Sequence, residues 1–139
     1  MNKPSSAGIV VGLRARAVFD VVELDTASAL GSGSVPALGT PRLLAWLEAV
    51  TCAALDPALA DDEVSVGTHV DLDHLRASRV GARVRAEAIV VAVEGRRVDF
   101  DVEASDGDGD GAVIGRGRIT RTVVDRERFV DRLGPINPG

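Results

Sequence analysis

Only one long stretch of this 139-residue chain repeats its apolar side chains at helical spacing, while the segments downstream of it alternate at period two. Leu43, Leu47, Val50 and Ala54 recur at i, i+4, i+7 and i+11, along one face of a helix. Thr40 can cap that helix, and Pro41 suits its first turn, where a missing N–H costs nothing. Asp56-Pro57 stops it. A helix with one apolar face must bury that face, and in a chain otherwise made of strands the cover is a sheet.

The strands can be read in turn. Arg14–Leu24, rich in Val, is the first, and Gly31–Gly39 is a loop by composition. After Asp61-Asp62, Val64, Val66, Thr68, Val70, Leu72 and His74 share one face, with His69, Asp71 and Asp73 on the other. A third strand spans Arg83–Val93, and Glu94-Gly95 turns the chain. The fourth points Val98, Phe100, Val102 and Ala104 inward, and Asp106–Gly111 forms a hairpin loop. The fifth, Val113–Val124, keeps Val113, Gly115, Gly117, Ile119, Arg121 and Val123 in phase, before a short amphipathic turn, Asp125–Leu133. Residues 1–13 and 134–139 read as loose ends of a single domain spanning 1–139. This order makes an α+β plan: a five-stranded, mostly antiparallel sheet wrapped around one long helix, the hot-dog fold. One helix covers five strands poorly, which favours two protomers joined edge to edge as a homodimer.

Composition narrows the function. Hydrophobic residues make up 45% but aromatics only 3%, so the core is aliphatic. The net charge is −5, and the 15 Arg alternate with Asp and Glu, a solvated mixed surface rather than the basic footprint of a nucleic-acid binder. No apolar run approaches the roughly 20 residues of a membrane span. Met1–Gly8 lacks the apolar centre of a signal peptide, so a soluble cytoplasmic protein is expected. The single Cys52 allows neither an internal disulfide nor a multi-cysteine metal site, and reads as a small core residue.

Polar residues in phase with apolar ones mark the candidate site, because burying them is costly without partners. His74 continues the apolar face of its strand, Arg121 sits between Ile119 and Val123, and Glu48 flanks the buried face of the helix. A carboxylate, an imidazole and a hydroxyl at one helix–sheet interface make an acid–base set. Other motifs fail on spacing. The Asp106–Gly111 run starts like a calcium loop, but its twelfth position is Gly117 instead of an acid. His69 and His74 are an odd number of residues apart and cannot share a metal on one strand. No nucleophile elbow or phosphate-binding glycine pattern occurs, so neither metal nor cofactor is expected.

The stretch from Gly39-Thr40-Pro41-Arg42 through Trp46-Leu47-Glu48 to Ala53-Ala54 resembles the helix of the fluoroacetyl-CoA thioesterase family of hot-dog proteins. Ser65-Val66-Gly67-Thr68 with His74, the Glu94-Gly95-Arg96-Arg97 turn and Ile114-Gly115-Arg116-Gly117 with Arg121 extend the likeness over about residues 10–130. It implies hydrolysis of an acyl-CoA thioester by Thr40, Glu48 and His74, with Gly67 and Arg121 near the substrate carbonyl or a bound water. Arg42 and Arg76 are candidates for the CoA phosphates. The aromatic lid that the family's fluoroacetyl-specific member carries before its Thr is missing from Gly31–Gly39, so fluoroacetyl selectivity does not carry over. The competing expectation is a non-catalytic hot-dog protein that binds acyl thioesters or a small hydrophobic ligand.

Overall fold

The computed structural model describes residues 8–135. The long helix forms as its spacing predicts: α2 spans Thr40–Leu55, and Leu43, Leu47, Val50 and Leu55 are shut off from water. Around it lie β1 (Arg14–Asp20), β2 (Glu63–His74), β3 (Arg83–Glu94), β4 (Arg97–Asp106) and β5 (Val113–Asp125). All pair antiparallel in the order β1-β3-β4-β5-β2, leaving β1 and β2 as edges. A one-turn helix α1 (Ala27–Leu30) precedes α2, and α3 (Arg126–Arg132) follows β5.

The sheet curves around α2 and offers it an aliphatic surface. Val84, Ala86, Ala88 and Val90 of β3, Val98, Phe100, Val102 and Ala104 of β4, and Ile119 and Val123 of β5 are buried, as strict alternation requires. Trp46 stacks on Phe19 with ring centroids 4.8 Å apart, fastening the helix to β1. No helix among the described residues is long and apolar enough to cross a membrane.

Three sequence expectations are corrected. The first strand ends at Asp20, not Leu24, because the Asp25 carboxylate accepts the Val22 N–H at 2.9 Å and turns the chain into a 3-10 turn at Glu23–Asp25. The expected loose start is held from Ile9 onward. Ile9 is buried, and Gly12 N–H and Leu13 C=O both bond to the main chain of Val90. The ends 1–7 and 136–139 lie outside the described residues. Finally, β2 does not keep one alternation throughout. A bulge at Thr68 inserts a residue opposite β5, so Ser65 and Gly67 pair with Val123 and Arg121, while Val70, Leu72 and His74 pair with Ile119, Gly117 and Gly115. Ser65 and Gly67 therefore replace Val64 and Val66 on the helix-facing side.

Leu47 lies at the centre of the helix–sheet contact. Leu47→Ala is expected to cost about 2–5 kcal/mol in urea unfolding with the fold retained, whereas a loss near zero would contradict this packing.

Candidate active site

The first turn of α2 supplies a hydroxyl that the helix does not use. Thr40 was expected to cap α2, but no side chain caps this helix, and Gly39 is the residue preceding it. Thr40 Oγ1 instead lies 2.7 Å from His74 Nδ1. This bond ties the start of α2 to the end of β2. The main chain around it is strapped down: Asp25 C=O accepts the Gly39 N–H, and Ser78 C=O accepts the Leu38 N–H. The Asp25 carboxylate also lies 2.9 Å from Arg42 Nε, two residues beyond Thr40, so Arg42 has a carboxylate partner inside the fold.

His74 is half-buried, and burial pushes its imidazole pKa below the usual 6.5, with the Arg76 main chain opposing the shift. The ring is therefore neutral at pH 7. Its Nε2 is buried and meets no hydrogen-bond partner among the described residues. When the Thr40 hydroxyl donates to Nδ1, the remaining proton sits on Nε2 and faces outward from the pair.

A second group forms two turns along α2. Glu48 Oε2 lies 3.6 Å from Arg121 Nη1, and Arg121 is buried with its Nε donating to Ser65 Oγ at 2.8 Å and its Nη2 to Ser65 C=O at 3.1 Å. Gly67 closes the group. A Cβ at that position would come within 2.6 Å of Glu48 Oε2, so only glycine lets the carboxylate settle against β2. Cys52, one turn further on, has its thiol pushed up by burial despite Arg121, which keeps it protonated.

The five residues singled out in the sequence thus fall into two pairings: Thr40 with His74, and Glu48 with Gly67 and Arg121. Within one chain these groups do not touch. Thr40 and Glu48 are separated by about 12 Å along α2, and the β5 partners of His74 and Gly67, Gly115 and Arg121, by about 20 Å. A cleft of about 340 Å³ opens beside Thr40 and His74, bounded by Ser32, Gly33, Val35 and Arg76. Among the described residues, no three His, Cys, Asp or Glu side chains gather as metal ligands. Sequence reasoning missed Ser65 and Asp25. Ser65 was assigned no inward face because the bulge is invisible to period-two counting, and Asp25 lies just past the segment read as the first strand.

Comparison with known proteins assigns this arrangement a class. Residues 21–127 match the model of the fluoroacetyl-CoA-specific thioesterases. The fluoroacetyl-CoA thioesterase of Streptantibioticus cattleyicolor is 33% identical over 99 residues, covering 71% of this chain and 69% of that protein. A solved structure of the fluoroacetyl-CoA thioesterase superposes with a TM-score of 0.84 at 28% identity, covering 94% of this chain and 99% of the other. Another structure of that enzyme, an alanine mutant, holds fluoroacetate and CoA. A Thermus thermophilus protein of the thioesterase superfamily matches with a TM-score of 0.81 at 29% identity, over 91% of this chain and 94% of its own. The fold is that of the hot-dog thioesterases, and the enzyme class is thioester hydrolase. The chain belongs to the fluoroacetyl-CoA-specific thioesterase family.

The depressed His74 pKa has a measurable sign. The unfolded chain binds this proton more readily than the folded one, so the His74 contribution to stability is present above about pH 6.5 and is lost as the pH falls. An NMR titration of the His74 ring is expected to give a midpoint below 6.5, and a midpoint at or above that value would contradict the burial argument.

Proposed function

We propose that this protein hydrolyses an acyl-CoA thioester to free acid and CoA in the cytoplasm, as a homodimer whose active sites join the two side-chain groups across the subunit boundary. The observation that carries this reading is the pairing itself. One group offers a hydroxyl–imidazole dyad and the other a carboxylate on a glycine backbone, and each lacks what the other supplies.

The β2 edge provides the means. Its outer side is unpaired, and Gly67–Asp71 in its middle are exposed. An antiparallel pairing of two β2 strands about a two-fold axis near Val70 sets Gly67 of one copy opposite the far end of β2 in the other. Glu48 then faces the Thr40–His74 dyad of the partner subunit. Pairing through β1 would leave both groups apart. The exposed edge thereby also acquires its missing hydrogen-bond partners.

The chemistry follows from the groups assembled. A thioester carbonyl is electrophilic enough for water to attack once a base takes its proton, and Glu48 is that base, held by Arg121. The same carboxylate is also within the chemistry of direct attack to form an acyl intermediate. As the carbonyl oxygen gains charge it needs fixed donors, and the Gly67 N–H is open to close approach because no Cβ shields it. Collapse breaks the C–S bond, the proton that Glu48 took from water passes to the departing thiolate, and the N–H at His74 Nε2 donates a hydrogen bond to the sulfur as charge develops on it, its own proton staying on the ring. The Thr40 hydroxyl fixes which ring nitrogen carries that proton. A neutral imidazole suits this role, since its N–H donates to the sulfur without placing a second cation beside Arg121 of the partner subunit.

Replacing Glu48 by Gln keeps its size and removes its basicity. Glu48→Gln is expected to slow thiol release from a panel of CoA esters of varied length and polarity by about 10²–10⁴-fold with the fold retained, at a lowered melting temperature because buried Arg121 loses its carboxylate partner. Undiminished hydrolysis would refute the role of Glu48, and binding without turnover by the unaltered protein would favour a non-catalytic acyl-thioester binder.

A further inference from the structure

A cleft of about 350 Å³ lies where α3 leaves β5, away from the Thr40–His74 cleft. It is lined by Arg96 from the β3–β4 turn, Arg128 and Arg132 from α3, Thr122, Asp125 and Phe129. We propose that it binds a phosphorylated adenine nucleotide, the distal end of the CoA thioester; this assignment rests on the function proposed above.

Three cations converging on one cleft are notable in a chain of net charge −5. Arg128 and Arg132 stand one helical turn apart on the same side of α3. Among the described residues neither has a carboxylate within ion-pair distance, and both are exposed. Arg96 is anchored by donating to Val123 C=O at 3.3 Å and lies 3.5 Å from Glu63, yet more than half of its side chain is open to solvent. The nearby acids are occupied. Asp125 accepts the Arg128 N–H at the start of α3, and the almost fully buried Glu63 accepts the Ala60 N–H. The cleft is therefore net positive, as binding of clustered phosphates requires.

Phe129 gives the second half of the argument. It is one of only three Phe in the chain, and it stands 36% exposed among the guanidinium groups. An exposed aromatic face beside arginines is the arrangement on which a purine stacks while its phosphates are neutralised. The other basic candidates are less suited. Arg42 is paired with Asp25, and Arg76 lies 3.6 Å from Asp110 in a groove also lined by Asp106 and Asp108. The location fits a long substrate as well: Thr122 and Val123 follow Arg121 directly in β5, so the cleft lies at the Glu48 end of the sheet.

The test uses the full chain and two variants, Arg128→Ala/Arg132→Ala and Phe129→Ala, checked for an unchanged melting temperature. Calorimetry with adenosine 3′,5′-bisphosphate is expected to show binding to the unaltered protein, weakened about tenfold or more in each variant, with inorganic phosphate binding far more weakly. In parallel, KM is measured for one acyl group carried on CoA and on pantetheine. The unaltered enzyme is expected to favour the CoA ester, and in the double variant the ratio of the two KM values should fall towards one. No nucleotide binding, equal binding in the variants, phosphate binding as tightly as the nucleotide, or an unchanged KM ratio would each overturn the proposal. Failure to hydrolyse either ester would sink the thioesterase reading instead, and the calorimetry would still decide the cleft.

Discussion

Burial of one helical face against a curved sheet is the constraint on which everything else in this protein depends. Leu43, Leu47, Val50 and Leu55 are shut off from water there, where α2 packs along β1, β3 and β4. Burial of each such side chain stabilises the fold by about 1.5–3 kcal/mol, so the position of α2 is fixed by its core face and not by its polar residues. Thr40 and Glu48 take their places as a consequence. Because a helix is a rigid ruler, the two cannot draw together without unpacking its core. In the function we propose, a second copy of the chain brings the two groups together, so that oligomeric state and chemistry are tied.

The sheet contributes through its irregularities as much as through its regular alternation. At Thr68 the bulge reverses the facing of β2, so that a glycine and not a valine meets the Glu48 carboxylate. Across the same pair of strands, a Cβ at Gly115 would come within 3.0 Å of Leu43 Cδ2, and one at Gly117 would overlap the Asp71 carbonyl. Small residues at these positions let helix and edge strand approach where larger ones would hold them apart. Arg121 fills the space left beneath, with Ser65 and Glu48 satisfying its guanidinium and limiting the cost of burying it.

Much of this was legible in the sequence wherever one periodicity ran unbroken. The spacing of Leu43, Leu47, Val50 and Ala54 is enough to define α2, and Val98–Ala104 define the inner face of β4. Arg121, Glu48 and His74 stood out as polar residues in apolar phase, which is a signal of placement; the catalytic roles expected of Glu48 and His74, and a place for Arg121 near the substrate, came from the likeness to a family. What escaped is tertiary in origin. The hydroxyl of Thr40 looks like a cap because capping is local, whereas its actual partner is 34 residues away in sequence. A bulge leaves no mark in composition, so Ser65 and Gly67 were given the wrong face. Ile9 is buried, and Gly12 and Leu13 just after it bond to the main chain of Val90, contacts that no local pattern announces.

The claim that two subunits share each active site is tested most directly by mixing two variants. Chains carrying Glu48→Gln and chains carrying His74→Ala are each expected to form dimers with little activity. When equal amounts are unfolded together and refolded, half of the dimers are mixed, and each mixed dimer holds one site with both groups intact, so about a quarter of the original activity should return. If mixed dimers form, as mass spectrometry can establish, and no activity returns, the shared site is contradicted.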